Sequence, residues 1–261
     1  MQNFNHDSSF SSFKKNDTYG YPKGHIIRVE ADLSQINLVI KNTAIKTVMV
    51  NLDDAEKLLN SGINSSYFGP KKLVITTSTI SDLNLSKYFL EKEASIVIDF
   101  APNFHIPRDR PVYLSQNEKE RLWNIQAQVE ETIELRELLN QTSIKLIPLL
   151  KGVNREEQLS SYIPLKNEGF KAFSYYSVQY FGKGRGNLSN YLIKDLWEIS
   201  HLPAIQYIML VGIESERILR RLPPEIKAFA GLRFVRENCW KTKEMKDKKQ
   251  ANLDQFFSWR K

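Results

Sequence analysis

The chain has 261 residues, 41% of them hydrophobic, which is enough to bury a substantial core as one large domain or two small ones. Its one cysteine, Cys239, excludes an internal disulfide framework and a thiolate-rich zinc site, both of which need several thiols; neither a structural metal nor a cofactor is expected. The net charge of +7 points to a nucleic-acid partner, since Lys and Arg displace the counterions around phosphates, yet residues 240–261 carry +4 of it and residues 1–24 another +1.

No apolar run reaches the length of about eighteen residues that a membrane span needs, and the N-terminus lacks the apolar centre of a signal peptide. An intracellular location is expected: cytoplasmic and nucleoid-associated, or nuclear in a eukaryote. Residues 1–24 are rich in Ser, Asn, Asp and Lys and have no sustained period, so they read as a flexible segment. Residues 25–239 alternate β-branched runs with helix-like segments, the pattern of an α/β domain with a mainly parallel sheet. The first predicted strands are 36–40, 46–52, 72–79 and 95–101 (SIVIDFA). A long helix over 118–140 follows, with Leu122, Ile125, Val129 and Ile133 at helical spacing.

Strand 144–150 then leads to a helix over 154–166 with Asn154 as its N-cap and Glu156 and Glu157 in its first turn. Strand 170–178, helix 188–200, strand 205–213, a helix over 214–222 stopped by Pro223 and Pro224, and strand 228–235 complete the series. Seven or eight strands with helical crossovers predict a (β/α)8 TIM-like barrel, irregular in its first units. A doubly wound open sheet shares the pattern, because the sequence alone does not decide closure.

In a barrel, active sites assemble at the C-terminal ends of the strands. Asp99 ends one apolar strand, as a catalytic acid or base or as a loop carboxylate; Lys151 ends another, as a phosphate contact, a nucleophile if desolvated, or a solvated loop lysine. Arg108 and Arg110 lie in the proline-bounded HIPRDRP, placed for phosphate or neutralised by Asp109. The GKGRG segment (182–186) offers Lys183 and Arg185 before a helix, as a DNA-backbone contact or an ordinary loop. Tyr175, Tyr176, Gln179, Tyr180 and Phe181 either stack on bases or fill the core, and Arg233, Arg236, Glu237 and Asn238 are placed to line the same mouth. His6, His25, His105 and His201 have no ligand spacing.

After Trp240 a charged stretch leads to a compact apolar cluster, read as a tether carrying a short ligand over 240–261. Gln250, Leu253, Phe256 and Phe257 spell QxxLxxFF, which resembles the PCNA-interacting peptide family. The resemblance implies that Leu253, Phe256 and Phe257 form a hydrophobic plug on one 3₁₀-like turn and that Gln250 hydrogen-bonds in a neighbouring clamp pocket. Positions i, i+3 and i+4 do share one side of such a turn. The other reading is an amphipathic last turn packing on its own domain. Trp259 adds contact area, and Lys248, Lys249, Arg260 and Lys261 suit either an acidic clamp surface or simple solubility.

Leu149–Leu150–Lys151–Gly152, Gly169–Phe170 and Leu210–Val211–Gly212 give residues 90–238 a pattern that resembles the tRNA-guanine transglycosylase superfamily, with Asp99 on the strand that supplies the family's Asp. The resemblance implies a (β/α)8 barrel, in a superfamily with one branch that acts on DNA. The departures are pointed. The family's Asp-Ser-Gly-Gly-Phe-Gln loop is Asp99–Phe100–Ala101–Pro102–Asn103–Phe104, its substrate-reading Gln is Lys151, and its covalent Asp corresponds to Ala230 after Phe229. A methyl group cannot attack a sugar carbon, and the family's zinc cysteines are missing. The expectation is a clamp-associated DNA replication or repair factor whose barrel engages DNA. The alternatives are a clamp-recruited enzyme of DNA base or glycosidic-bond chemistry and a non-catalytic clamp competitor.

Overall fold

The computed structural model describes residues 20–78, 87–113, 115–181 and 188–239. Eight parallel strands alternate with eight helices: β1 (Gly24–Val29), α1 (Leu33–Lys41), β2 (Thr47–Asn51), α2 (Leu52–Asn60), β3 (Leu73–Thr77), α3 (Lys87–Phe100), β4 (Phe104–Ile106), α4 (Glu118–Leu138), β5 (Lys145–Leu146), α5 (Arg155–Asn167), β6 (Ala172–Tyr176), α6 (Ser189–Ser200), β7 (Tyr207–Val211), α7 (Glu216–Leu219), β8 (Ile226–Gly231) and α8 (Arg233–Cys239). The sheet order is β5-β4-β3-β2-β1-β8-β7-β6, so β1 pairs with β8 and the sheet curls into an irregular (β/α)8 barrel.

The seam between β5 and β6 is held by a parallel bridge between Leu149 and Ser174, where Ser174 N–H donates to Pro148 O at 2.7 Å and Leu150 N–H donates to Ser174 O at 3.0 Å. The next rung toward the N-terminal end would need an N–H from Pro148, which proline lacks. Below that point lies a cleft of about 570 Å³, lined in part by Lys145, Leu146, Phe170, Lys171 and Gln206.

Side chains alternate in and out of the barrel wall, as period-two strands require. Ile26, Met49, Ile75, Phe104, Ile106, Ile147, Leu149, Ala172, Tyr207, Met209, Val211, Ala228 and Ala230 fill the interior as one cluster. Their neighbours turn outward into two helix-facing layers, one with Ile27, Val29, Val48, Val50 and Val74, the other with Phe173, Tyr175, Ile208 and Leu210. Tyr21 closes the N-terminal end, its ring stacked 5.0 Å from Tyr207 and 5.8 Å from Phe104. The folded unit therefore starts within the segment read as flexible.

Two predicted strands are helices. INLVI belongs to α1, where Gln35, Ile36, Leu38 and Val39 are buried at helical spacing and Asp32 caps the N-terminus by accepting from Ser34 N–H and Gln35 N–H. SIVIDFA belongs to α3, where Leu90, Ala94, Val97 and Phe100 form the buried stripe and Ile98 is exposed. The predicted last strand stops at Gly231 and becomes α8. The strands missed in their place are β1 and β4.

Candidate functional site at the C-terminal mouth of the barrel

Extending the inward rows toward the C-terminal ends of the strands passes from apolar to polar side chains. Arg28 follows Ile26 on β1, Asn51 follows Met49 on β2, Thr77 follows Ile75 on β3, Lys151 follows Leu149 after β5, and Tyr176 follows Ala172 and Ser174 on β6. Arg28 Nη2 donates to Asn51 Oδ1 at 2.5 Å, and the hydroxyls of Thr77 and Tyr176 lie 2.6 Å apart. Because β3 and β6 are three strands apart in the barrel order, the second pair is a bar across the mouth. On the β4–β5 side of that bar lies the ion pair of Lys151 with Asp109.

Asp109 is aimed by the residues beside it. Arg108 is 1% exposed, and its Nε donates to Glu93 of α3 at 2.9 Å while its backbone N–H reaches the same carboxylate at 3.2 Å. Glu93 also lies 2.9 Å from His105 Nε2, and His105 Nδ1 lies 2.8 Å from Thr76 Oγ1, which fits an imidazole donating from Nε2 and accepting the threonine hydroxyl. Arg110 forms a two-pronged pair with Glu131 of α4 at 3.0 and 2.5 Å, its backbone N–H donates to Gln128, and its guanidinium lies 5.0 Å from the centre of the Trp123 ring. With both flanking arginines fastened to the helix layer, Asp109 is left facing Lys151.

Lys151 is fixed from the other side. It is 8% exposed, and its backbone N–H donates to Ser161 Oγ of α5 at 3.2 Å. Gly152 follows with φ +140, and a Cβ there would lie 2.4 Å from Gln158 N, so only glycine permits this close approach to α5. Asn154 caps α5 by accepting from Glu157 N–H at 2.9 Å, and Glu157, 1% exposed, accepts from Val153 N–H and pairs with Arg121 at 2.8 Å.

The predicted site residues thus part company. Lys151 and Tyr176 lie at the mouth, and Arg233, which follows β8, is exposed and pairs with Glu237 at 2.6 Å. Asp99 does not join them. It is exposed in the last turn of α3, a helix antiparallel to the strands, and therefore sits at the opposite end of the barrel. Arg108 and Arg110 are buried anchors rather than phosphate contacts, and Asp109 neutralises Lys151 rather than either arginine.

Tyr175 and Tyr180 point into the helix layer, their hydroxyls 2.6 Å apart, and Tyr180 donates to Asp195. Burial, then the neighbouring Tyr175 and Asp195, pushes the Tyr180 phenol well above the usual tyrosine range. His25 pairs with Glu214 at 2.5 Å, and His201 Nδ1 lies 2.6 Å from Trp197 O. Ala230 faces the barrel interior, fully buried. Lys183, Arg185, Gln250, Leu253, Phe256 and Phe257 lie outside the described residues.

Sequence reasoning missed Arg28, Asn51, Thr77 and the partnership of Asp109. The signal for the first two was present: GHIIRV is a short β-branched run that ends shortly before the N-cap Asp32, and Asn51 ends an apolar strand directly before the acidic start of α2. Among the described residues no His, Cys, Asp and Glu group could hold a metal ion, and no helix is long and apolar enough to cross a membrane. The chain matches no protein-family model and no curated protein sequence.

Proposed function

We propose that the protein is a DNA replication or repair factor that works while tethered to a PCNA-type sliding clamp, its barrel engaging DNA through the C-terminal mouth. The observation that carries this reading is the QxxLxxFF tetrad of Gln250, Leu253, Phe256 and Phe257 behind a spacer rich in lysine. Three apolar anchors at i, i+3 and i+4 give a helical turn one apolar side, the form in which short helical ligands enter a groove. Tethering holds a barrel near DNA at an effective concentration in roughly the mM range, so it needs little intrinsic DNA affinity. That suits a body whose share of the net charge is only about +2. The accessible Arg233 and the half-buried Arg28, Asn51 and Tyr176 are the groups offered to nucleic acid.

Titration calorimetry of the full chain with a PCNA-type clamp tests the tail. Binding is expected for the native sequence and is lost when Phe256→Ala and Phe257→Ala are combined, because the plug supplies the buried anchors. Undiminished binding by that variant rules the reading out. A second reading, a clamp-recruited enzyme of DNA base or sugar chemistry, is favoured by one observation, the pairing of the buried Lys151 with the half-buried Asp109 at a barrel mouth.

A further inference from the structure

A lysine with 8% exposure is unusual, because taking an ammonium out of water is costly before any partner is counted. Pairing with Asp109 offsets that loss without making the pair a clear source of stability, since a well-packed apolar side chain generally does as well. Yet the fold fixes both partners from separate directions. Glu93 and Glu131 hold the arginines on either side of Asp109, while Ser161 and the close approach at Gly152 hold the backbone of Lys151. Such support from surrounding groups is what keeps reacting side chains in place.

The chemistry of the pair also selects its ligand. A phosphate seated on Lys151 would face the carboxylate of Asp109 and be repelled, whereas a neutral carbonyl would not. We infer that Lys151 is a nucleophilic amine that forms an imine with an aldehyde-bearing ligand entering the barrel mouth, with Asp109 as its proton shuttle. On the clamp-and-DNA reading, on which the choice of substrate rests, that aldehyde is the ring-opened sugar of an abasic nucleotide.

The step balances within these groups. Asp109 takes one proton from the ammonium, and the nitrogen lone pair of Lys151 attacks the aldehyde carbon as the carbonyl pair moves to oxygen. A second nitrogen proton passes to that oxygen to give the neutral carbinolamine. Asp109 then returns its proton to the carbinolamine hydroxyl, which leaves as water while the nitrogen pair forms the C=N bond. The products are a protonated imine, one water and the original carboxylate. No external oxidant or reductant is needed.

The test is reductive trapping on the full-length protein. Labelled duplex DNA with one abasic site is incubated with the chain and sodium cyanoborohydride, which reduces an imine to a stable secondary amine, and the adduct is resolved on a denaturing gel. A protein–DNA adduct mapped to Lys151 is expected, falling at least about tenfold in Lys151→Arg, which keeps the charge and the pairing but cannot form this imine. Lys171→Ala, at an exposed lysine remote from the mouth, retains the adduct. Asp109→Asn slows adduct formation, whereas loss of a carboxylate that only held the ammonium charged would speed it. An adduct equally abundant in Lys151→Arg, in a variant whose thermal midpoint is unchanged, overturns the proposal.

Glyceraldehyde 3-phosphate serves as a second aldehyde probe that needs no DNA. Trapping of this probe at Lys151 without trapping of abasic DNA upholds the amine and rejects the nucleotide substrate. Trapping of neither, by a chain that binds the clamp and DNA, rejects the amine and leaves the clamp reading standing.

Discussion

Replacing Glu93 by alanine tests the buried network that aims the mouth. The change removes the acceptor of Arg108 Nε and of its backbone N–H, and the neighbour of His105 Nε2, leaving a guanidinium with 1% exposure short of its main counter-charge. Breaking a buried ion pair from one side typically costs about 3–5 kcal/mol. The lower end applies, because Glu131 Oε1 lies 3.5 Å from Arg108 Nη1 and still supplies a negative charge. For a domain of this size about 3 kcal/mol corresponds to a fall of roughly 6–12 °C in the thermal midpoint, measurable by circular dichroism or calorimetry. The double variant Glu93→Ala, Arg108→Met completes the cycle. Its loss is less than the sum of the two single losses by at least about 1 kcal/mol, because the orphaned charge is gone. A midpoint shift under about 2 °C in Glu93→Ala, or strict additivity in the cycle, would refute the claim that Glu93 holds Arg108.

Two further outcomes follow from the same geometry. Gly152→Ala places a methyl 2.4 Å from Gln158 N and 2.7 Å from Glu157 C at φ +140, and is expected to cost about 2–4 kcal/mol, read as a lowered denaturation midpoint with an unchanged m-value. A neutral result there would mean that the turn into α5 is not tight. At Glu214, burial acts to raise the carboxyl pKa, but the hydrogen bonds from His25 and Arg233 N–H, with the positive charges of both residues, hold it below the usual carboxylate range. A depressed folded pKa adds stability that is full above the unfolded value of about 4.3 and drains away as pH falls through the folded one. The difference in midpoint between the native protein and Glu214→Gln should therefore narrow below about pH 4; a constant difference from pH 3 to 7 would contradict the pairing.

The parts of the fold legible in the sequence were those in which local pattern and tertiary environment agree. KTVMVNL, KLVITTST and IQYIMLVGI are apolar runs buried on both faces of a barrel wall, and each became a strand within about two residues of the predicted limits. The long helix from Glu118 began where Asn117 caps it, and α5 began where Asn154 does. The failures were β-branched helices. INLVI and SIVIDFA have strand-like composition, but their burial repeats every three or four residues, and Asp32 had marked the start of the first. Taking SIVIDFA as a strand moved Asp99 from the outside of the barrel's N-terminal end to its mouth, the largest functional error.

The opposite happened at β4. FHI is three residues long, too short for any period to show, so Arg108, Asp109 and Arg110 read as a loop offered to phosphate. Their real partners, Glu93 and Glu131 on two helices and Lys151 after β5, are between 15 and 42 residues away in the chain, a distance at which a single sequence carries no pairing signal. Lys151 itself was placed at the end of an apolar strand, but its burial was not visible there. That burial is what separates a candidate nucleophile from a solvated loop lysine.

The proposal that the protein works on DNA through a clamp is tested by measuring association of the full chain with circular DNA carrying a loaded PCNA-type clamp, against the same DNA without it. The clamp is expected to raise apparent affinity at least about tenfold, and Phe256→Ala with Phe257→Ala to remove the gain while leaving clamp-free association unchanged. Association that ignores the clamp, or a gain that survives loss of both phenylalanines, would contradict it.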